Sequence, residues 1–531
     1  MTKKKLQVWL PFLLSATLVA GMFFGYKLKD NMGHFGPSFP GKQKKANLQE
    51  ILELVTRKYV DSVNTDSLAY LAIENVFNQL DPHSMFIPAE QVKQMSDELQ
   101  GNFEGIGVEF ELLNDTVTVL GLSSKGPAEA AGLVVGDQIL SANDSMVSGV
   151  KSNPDRIRKI VRGPRGSSVN LVLLRQANKQ TITVNRGVIP LKSVDAAYLL
   201  QDSTGYIRLN KFASTTYEEF MEHLERLNKS GMKQLILDLR DNGGGILDDA
   251  VQIADEFLDG SKEIVYTNGK STPKQMYTAR RPGLFENGRL VLLINEGSAS
   301  ASEVLSGALQ DWDRATIIGR RSFGKGLVQE QFNLRDGSAI RLTVSRYYTP
   351  VGRSIQKPYR KGADSVYEKE IAERYKNGEV FHNDTSRHEG SSFRTKGGRI
   401  VYGGGGISPD VFVALDSSEL YLFKNTNLKQ ASLSKVAFSY FLKYRKQLEQ
   451  HTSAAALVSQ LSNDPRLWEM LKGELQTEKL DTDAFSTVQK EFLLRQIYAM
   501  IARQLWKKDG YFRVVNSYDP MIRIALDFLK N

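Results

Sequence analysis

Residues 290–312 set the tightest bound on the architecture. The apolar run Leu290-Val291-Leu292-Leu293-Ile294 stops at Asn295-Glu296-Gly297-Ser298-Ala299-Ser300-Ala301-Ser302-Glu303 and gives way to helical spacing through Trp312. A short apolar run bounded by turn residues reads as a buried strand, and strands alternating with helices make an α/β layer. The pattern recurs over residues 205–413, with strands expected at 234–239, 290–294, 315–318 and 340–347. The small side chains of the turn would let a substrate backbone approach closely, and the first amides of the following helix would point outward as donors. On the residues alone, Ser298, Ser300 and Ser302 are all open as nucleophiles, beside a reading in which the turn is a flexible loop and Ser302 caps the helix.

The rest of the chain divides around this core. Apolar positions at helical spacing from Leu48 to Gln79 predict two helices, which Asp81-Pro82-His83-Ser84 interrupts. From residue 101 to 188 the period shifts to two, as in Val117-Thr118-Val119-Leu120 and Val169-Asn170-Leu171-Val172-Leu173, which predicts a small β-rich module. The core is expected over 189–415, with a polar insertion at 361–398 that reads as a solvated loop or hairpin without chemistry. Residues 416–531 return to helical spacing, with stripes such as Phe492, Leu493, Ile497, Met500, Ile501 and Leu505. At 531 residues the chain should form two to four units.

Location is read at the N-terminus. Lys3, Lys4 and Lys5 precede an uncharged run from residue 6 to 26, about the length that spans a hydrocarbon core. The lysines would stay in the cytoplasm and the remainder would cross. Met22-Phe23-Phe24 follows where a signal peptidase would need small residues, so residues 1–30 are expected to be a retained signal anchor, with 31–46 as a linker and 47–100 as an N-terminal helical region. The catalytic part would lie in the periplasm or extracytoplasmic space, tied to the cytoplasmic membrane. With no cysteine the chain has no disulfide, thiolate nucleophile or lipid-bearing cysteine. A net charge of +9 spread over this length forms no basic stripe and gives no case for nucleic-acid binding.

A serine hydroxyl needs a base. The six histidines carry no Gly-x-Ser-x-Gly elbow and no His-Glu-x-x-His spacing, so a Ser-His-Asp triad is unsupported. A buried lysine can serve instead, because desolvation disfavours the ammonium form. Lys325, in Gly319-Arg320-Arg321-Ser322-Phe323-Gly324-Lys325-Gly326, is the outstanding candidate. The segment also approaches a phosphate-binding loop, but Gly326 replaces the Ser/Thr that holds Mg²⁺, and 327–347 reads as strands rather than a helix.

At this point the sequence resembles the carboxyl-terminal processing, or tail-specific, peptidases (peptidase family S41) over residues 48–413. The residues that carry the resemblance are 297–303, Gly307-Ala308-Leu309-Gln310-Asp311 and Phe323-Gly324-Lys325-Gly326-Leu327-Val328-Gln329. It implies a ClpP/crotonase-like α/β core, Ser300 as nucleophile, Lys325 as general base and Gln329 orienting the lysine. Asp238-Leu239-Arg240-Asp241-Asn242-Gly243-Gly244-Gly245 is also family-like, and by resemblance the amide of Gly244 joins that of Ala301 in an oxyanion hole. The β-rich module resembles a PDZ domain, with Gly105-Ile106-Gly107-Val108 as its carboxylate-binding loop and Gly126 to Leu133 as its helix entry. Further likeness appears in Leu80 to Ser84, Tyr348 to Gln356 and Gly405 to Asp410, while the polar insertion and the long helical tail depart from the family.

Together these readings predict an extracytoplasmic serine endopeptidase that cuts proteins near their C-termini and holds their tails through the PDZ-like module. The reaction calls for no metal and no organic cofactor. The partners are protein or peptide substrates, and the helical segments at both ends are candidates for assembly into a homo-oligomer. The rival reading is a catalytically dead scaffold that only binds C-termini, against which the intact Ser300, Lys325 and Gln329 argue.

Overall fold

The structure, a computed structural model, describes Ser15, Thr17, Val19, Gly21 and Met22, then residues 47–149, 153–201, 203–360, 364–382, 390–416 and 430–530. Among these no helix is long and apolar enough to cross a membrane. The run at 6–26 lies almost wholly outside them, as does the linker 31–46. The chain forms two units, Met1–Val76 and Phe77–Asn531. In the first, helices Asn47–Lys58 and Thr65–Phe77 occupy the stretch where two are predicted, and neither buries a residue.

The second unit is built around a six-stranded sheet in the order Val194–Leu199, Thr204–Leu209, Gln234–Asp238, Arg289–Ile294, Thr316–Gly319, Val411–Phe412. Its first pair is antiparallel and the others are parallel. Alternate residues face opposite sides of a strand, so a sheet covered on both sides needs continuous apolar runs. On one side Leu235, Leu237, Leu290, Leu292 and Ile294 pack with helices Thr216–Lys229, Leu247–Asp255 and Ala301–Asp311. On the other, Ile236, Val291 and Leu293 meet Met521, Ile522, Ala525 and Leu529 of helix Pro520–Lys530. The last helix of the chain is thus a layer of the α/β core, not only part of a separate helical tail.

An antiparallel sheet stands beside this core: Met85–Ile87, Ala339–Tyr348, Glu263–Asn268 and Gln275–Thr278, with Leu327–Asn333 also paired to Ala339–Tyr348. It carries the strand that follows Lys325. The β-rich module has its own core and a meander in the order Val108–Leu113, Thr116–Leu122, Gln138–Ala142, Ser168–Arg175, Asn178–Asn185. Its entry and exit are joined by antiparallel pairing of Asn102–Gly105 with Gly187–Pro190. The helices Gln430–Leu448, Ala454–Ser462, Pro465–Thr477 and Thr487–Tyr518 share a further core, against which Leu113, Leu120 and Val135 of the β-rich module pack.

The polar insertion departs from its sequence reading. Within 361–398 lies a helix, Asp364–Lys376, and a strand, Ser392–Arg394, paired with Ile400–Tyr402. Tyr367, Arg374, Val380 and Thr395 are buried. The segment is poor in aliphatic residues, and ion pairs and carbonyl contacts do much of the packing: Glu370 holds Arg374 at 2.7 Å, Lys357 at 3.0 Å and Arg321 at 3.3 Å. Buried charges persist where each has a partner.

Candidate active site

Strand Arg289–Ile294 delivers the small-residue turn to the end of the sheet, and helix Ala301–Asp311 starts one residue after Ser300. Of the three serines left open by sequence, Ser298 and Ser302 are fully buried, their hydroxyls donating to Leu239 O (2.8 Å) and Asn242 O (2.9 Å). They bolt the turn to the neighbouring strand end, so Ser302 is not the cap. Ser300 is the partly exposed one and takes φ 56°, ψ −114° as the N-cap. A non-glycine residue at positive φ costs about 1–3 kcal/mol and persists only where its surroundings impose it.

What imposes it is Glu303. This carboxylate is completely buried and accepts from Ser300 N (2.8 Å), Lys325 N (2.8 Å), Gly324 N (2.7 Å) and the Ser322 hydroxyl (2.5 Å). Burial pushes its pKa up, and the four donors oppose that shift. The Tyr347 hydroxyl reaches the carbonyls of both Ser300 (3.1 Å) and Lys325, with one proton to share between them. Phe323 N donates to Ser298 O at 2.9 Å. Two turns far apart in sequence are therefore fastened at the backbone of Ser300 and Lys325 on both donor and acceptor sides.

Lys325 is largely buried and forms no ion pair among the described residues. Burial depresses its ammonium, the charge of Arg341 adds to that, and Glu303 and Asp81 oppose it. Lys357, the other buried lysine nearby, differs in having Glu370 at 3.0 Å to hold its charge. The Asp-Pro-His-Ser segment stands close: Asp81 accepts from His83 N, Ser84 N, the Ser84 hydroxyl and the Thr343 hydroxyl. His83 falls to about 4 through burial and the Lys325 charge, so it is neutral, with Nε2 2.9 Å from the Tyr367 hydroxyl.

The depressed lysine has a consequence for folding. Unfolded, Lys325 keeps its proton up to about pH 10.4, whereas folded it gives it up at lower pH. Between those two values the unfolded chain binds more protons, so stability rises with pH across this window and is lost again as pH falls through it. Lys325→Met is expected to be more stable than the parent at neutral pH, with the difference narrowing as pH rises towards about 10.4. Urea midpoints of the two proteins at several pH values measure this; parallel profiles would contradict it.

Gln329 lies on strand Leu327–Asn333 at an irregularity in its pairing with Ala339–Tyr348. Its amide donates to the Thr343 hydroxyl at 3.4 Å, which joins it to Asp81, and no hydrogen bond links it to Lys325. Gly244, at φ +92°, donates its N–H to Asn242 Oδ1 at 2.9 Å. A Cβ there would stand 2.8 Å from the Ser300 Cβ and 2.9 Å from Ala301 N. What Gly244 visibly supplies is space above the serine, while the N–H of Ala301, at the first position of its helix, has no partner among the described residues. In the β-rich module Gly107 has φ +75°, and the N–H groups of Ile106 and Gly107 have no partner among the described residues. Gly105 ends one strand and Val108 begins the next, an edge strand of its sheet.

Sequence reasoning missed Glu303, Tyr347 and Asp81. Glu303 carried a signal, since Ser300-x-x-Glu303 ahead of a helical run has the spacing of a capping box. Asp81 lay in the family-like segment Leu80 to Ser84 without a role at the site, and Tyr347 carried no signal, being brought in by the strand Ala339–Tyr348.

Comparison with known proteins identifies the family. Residues 203–363 match peptidase family S41, residues 105–185 match the PDZ domain, and residues 425–507 match a family of unknown function. A carboxy-terminal-processing protease of Bartonella bacilliformis is 36% identical over 342 residues, covering 63% of this chain and 77% of its own. A "Probable CtpA-like serine protease" of Staphylococcus epidermidis is 34% identical over 319 residues, 59% of this chain; this chain spans 64% of that relative's length. Among solved structures, a photosystem II D1 C-terminal processing protease is 26% identical, covering 70% of this chain and 93% of its own, with a TM-score of 0.36. A PDZ domain of a carboxy-terminal protease from Vibrio cholerae, solved in complex with a peptide, is 29% identical over 17% of this chain and 99% of its own, with a TM-score of 0.16. The chain belongs to the carboxy-terminal-processing proteases of peptidase family S41.

Proposed function

We propose that this protein is an extracytoplasmic serine endopeptidase that cleaves other proteins near their C-termini by Ser-Lys catalysis. The observation that carries the reading is the double fastening of Ser300 to Lys325 through Glu303 and Tyr347. Neutral Lys325 takes the proton of the Ser300 hydroxyl as Ser300 Oγ bonds to the substrate's carbonyl carbon. The oxyanion that forms is met by the Ala301 N–H and by an N–H of the glycine turn. Gly244 serves there by sharing its N–H with Asn242. Collapse expels the C-terminal fragment as an amine, which receives the proton from Lys325, and water then releases the acyl group. Gln329 acts on the lysine through the Thr343 and Asp81 side of the site.

Tail recognition falls to Gly105, Ile106, Gly107 and Val108, where the N–H groups of Ile106 and Gly107, without partners among the described residues, suit a terminal carboxylate, while the edge strand from Val108 suits an extended peptide. The run at 6–26 serves as the membrane anchor that keeps these domains outside the cytoplasmic membrane.

The test is to incubate the full-length protein with an unstructured polypeptide ending in a free carboxylate and with the same polypeptide ending in an amide, reading products by mass spectrometry. Cuts near the free C-terminus are expected, with cleavage of the amidated form slower by about tenfold or more, the worth of roughly 1.4 kcal/mol of carboxylate recognition. Absence of cleavage would remove the catalytic reading, and equal rates would remove the tail-recognition reading.

A further inference from the structure

The turn that presents Lys325 has an unusual backbone inventory. Its N–H groups are distributed among several acceptors: Ser322 N on Ile407 O, Phe323 N on Ser298 O, Gly324 N and Lys325 N on Glu303. The carbonyls of Gly324 and Lys325 are met by Lys357 N and the Tyr347 hydroxyl, but the three preceding carbonyls share one donor. Those of Arg321, Ser322 and Phe323, three in succession, all accept from one guanidinium, that of Arg374, at 3.1, 2.8 and 3.3 Å. Arg374 belongs to the insertion helix Asp364–Lys376, the segment that departs from the family pattern.

Arg374 is 2% exposed and its bond to the Ser322 carbonyl is buried, so that carbonyl has little access to water in place of the guanidinium. Buried carbonyls left without donors are costly. The guanidinium is itself fixed, because Glu370 accepts from Arg374 Nε at 2.7 Å, completing the planar fork whose other nitrogens hold the carbonyls. Glu370 also takes the ammonium of Lys357, which lies 3.9 Å from the Phe323 ring centroid and 4.1 Å from that of Tyr367. Phe323 is thus clamped from both backbone and ring, two residues before Lys325. One turn is held between opposite buried charges, Glu303 on its N–H side and Arg374 on its carbonyl side.

We propose that Arg374, set by Glu370, is a positioning residue for catalysis: the insertion helix is a strut that fixes the turn carrying Lys325 at the distance and direction the Ser300 proton requires. The proposal rests on the reading of Lys325 as the base. It touches neither substrate nor the tail-binding loop, so its loss should appear in the chemical step and not in substrate affinity. A misplacement of about 1 Å in a catalytic group can cost on the order of 100-fold in rate.

The experiment compares the full-length protein with Arg374→Lys, Arg374→Ala and Glu370→Gln, measuring kcat and KM on one peptide, the rate of Ser300 labelling by a fluorophosphonate, and thermal melting. Arg374→Lys, which keeps the charge but loses the fork, is expected to lower kcat and labelling at least tenfold with KM within twofold. Arg374→Ala should fall further and regain activity when guanidinium ion at low, non-denaturing concentration is added. Glu370→Gln, which leaves Arg374 in place but loosens it, should lie between parent and Arg374→Lys.

Arg374 variants with kcat within twofold of the parent would overturn the proposal. So would a loss expressed in KM, or one that tracks melting temperature across all three variants. Lys325→Ala, run alongside, separates the two claims: if it retains cleavage, the base assignment fails first, whereas if it is inactive and the Arg374 variants are not, only the strut fails.

Discussion

Lys325→Ala is expected to lower kcat/KM for peptide cleavage by about 10³-fold or more, near the upper part of what a general base contributes. The effect is large because the described residues offer no second base. His83 is neutral, but its Nε2 is engaged with the Tyr367 hydroxyl, and Lys357 is held by Glu370. Fold and tail-peptide binding should survive, since Lys325 carries no ion pair that other elements depend on. Lys325→Arg should be as inactive as alanine, because a guanidinium does not release its proton in this pH range.

Glu303→Gln should be nearly as damaging, although it changes one atom for another of similar size. Oε1 accepts from Ser322 and Gly324, and Oε2 from Ser300 and Lys325. An amide turned either way sets its NH₂ against two of these groups. With NH₂ at the Oε2 position it faces two backbone N–H donors that cannot rotate. At the Oε1 position it faces the N–H of Gly324 and a Ser322 hydroxyl that can turn to accept but also bonds Ile407 N. Unpaired buried donors cost about 1–3 kcal/mol each, and the strained φ of Ser300 loses the acceptor that imposes it. A fall in kcat of at least 10²-fold, with melting lowered by several degrees, is expected for a loss on this scale. Glu303→Asp, which keeps the acceptors but withdraws them, should recover part of the stability and little of the rate. Steady-state kinetics and melting on the three proteins decide this; a Glu303→Gln enzyme with parental kcat would show that the carboxylate is only a helix cap.

How far the sequence reached depends on which interactions were local. The strand, turn and helix around Ser300 were legible because apolar run, small residues and helical period follow one another within 23 positions. The β-rich module was legible because alternation and glycine punctuation are likewise local. The buried insertion was not: low aliphatic content reads as solvent exposure, yet Arg374, Glu370 and Lys357 satisfy one another inside. Nor did the amphipathic stripe of Pro520–Lys530 say what it covers. A helical period reports that one face is buried, while only the fold shows that Met521, Ile522 and Ala525 lie on the far side of the catalytic sheet. The same holds for Gly244, whose glycine was foreseen but whose N–H is taken by Asn242, so that the close approach to Ser300 is its clearest contribution.

The central claim is that Lys325 activates Ser300, and the most direct measurement is the rate at which a fluorophosphonate labels the full-length protein as pH is varied, with the modified residue located by mass spectrometry. The account predicts labelling at Ser300 alone, at a rate that rises with pH through one ionisation below the ordinary lysine value, and no such labelling in Lys325→Ala. Labelling of Ser298 or Ser302, or an unchanged rate at Ser300 without the lysine, would contradict it.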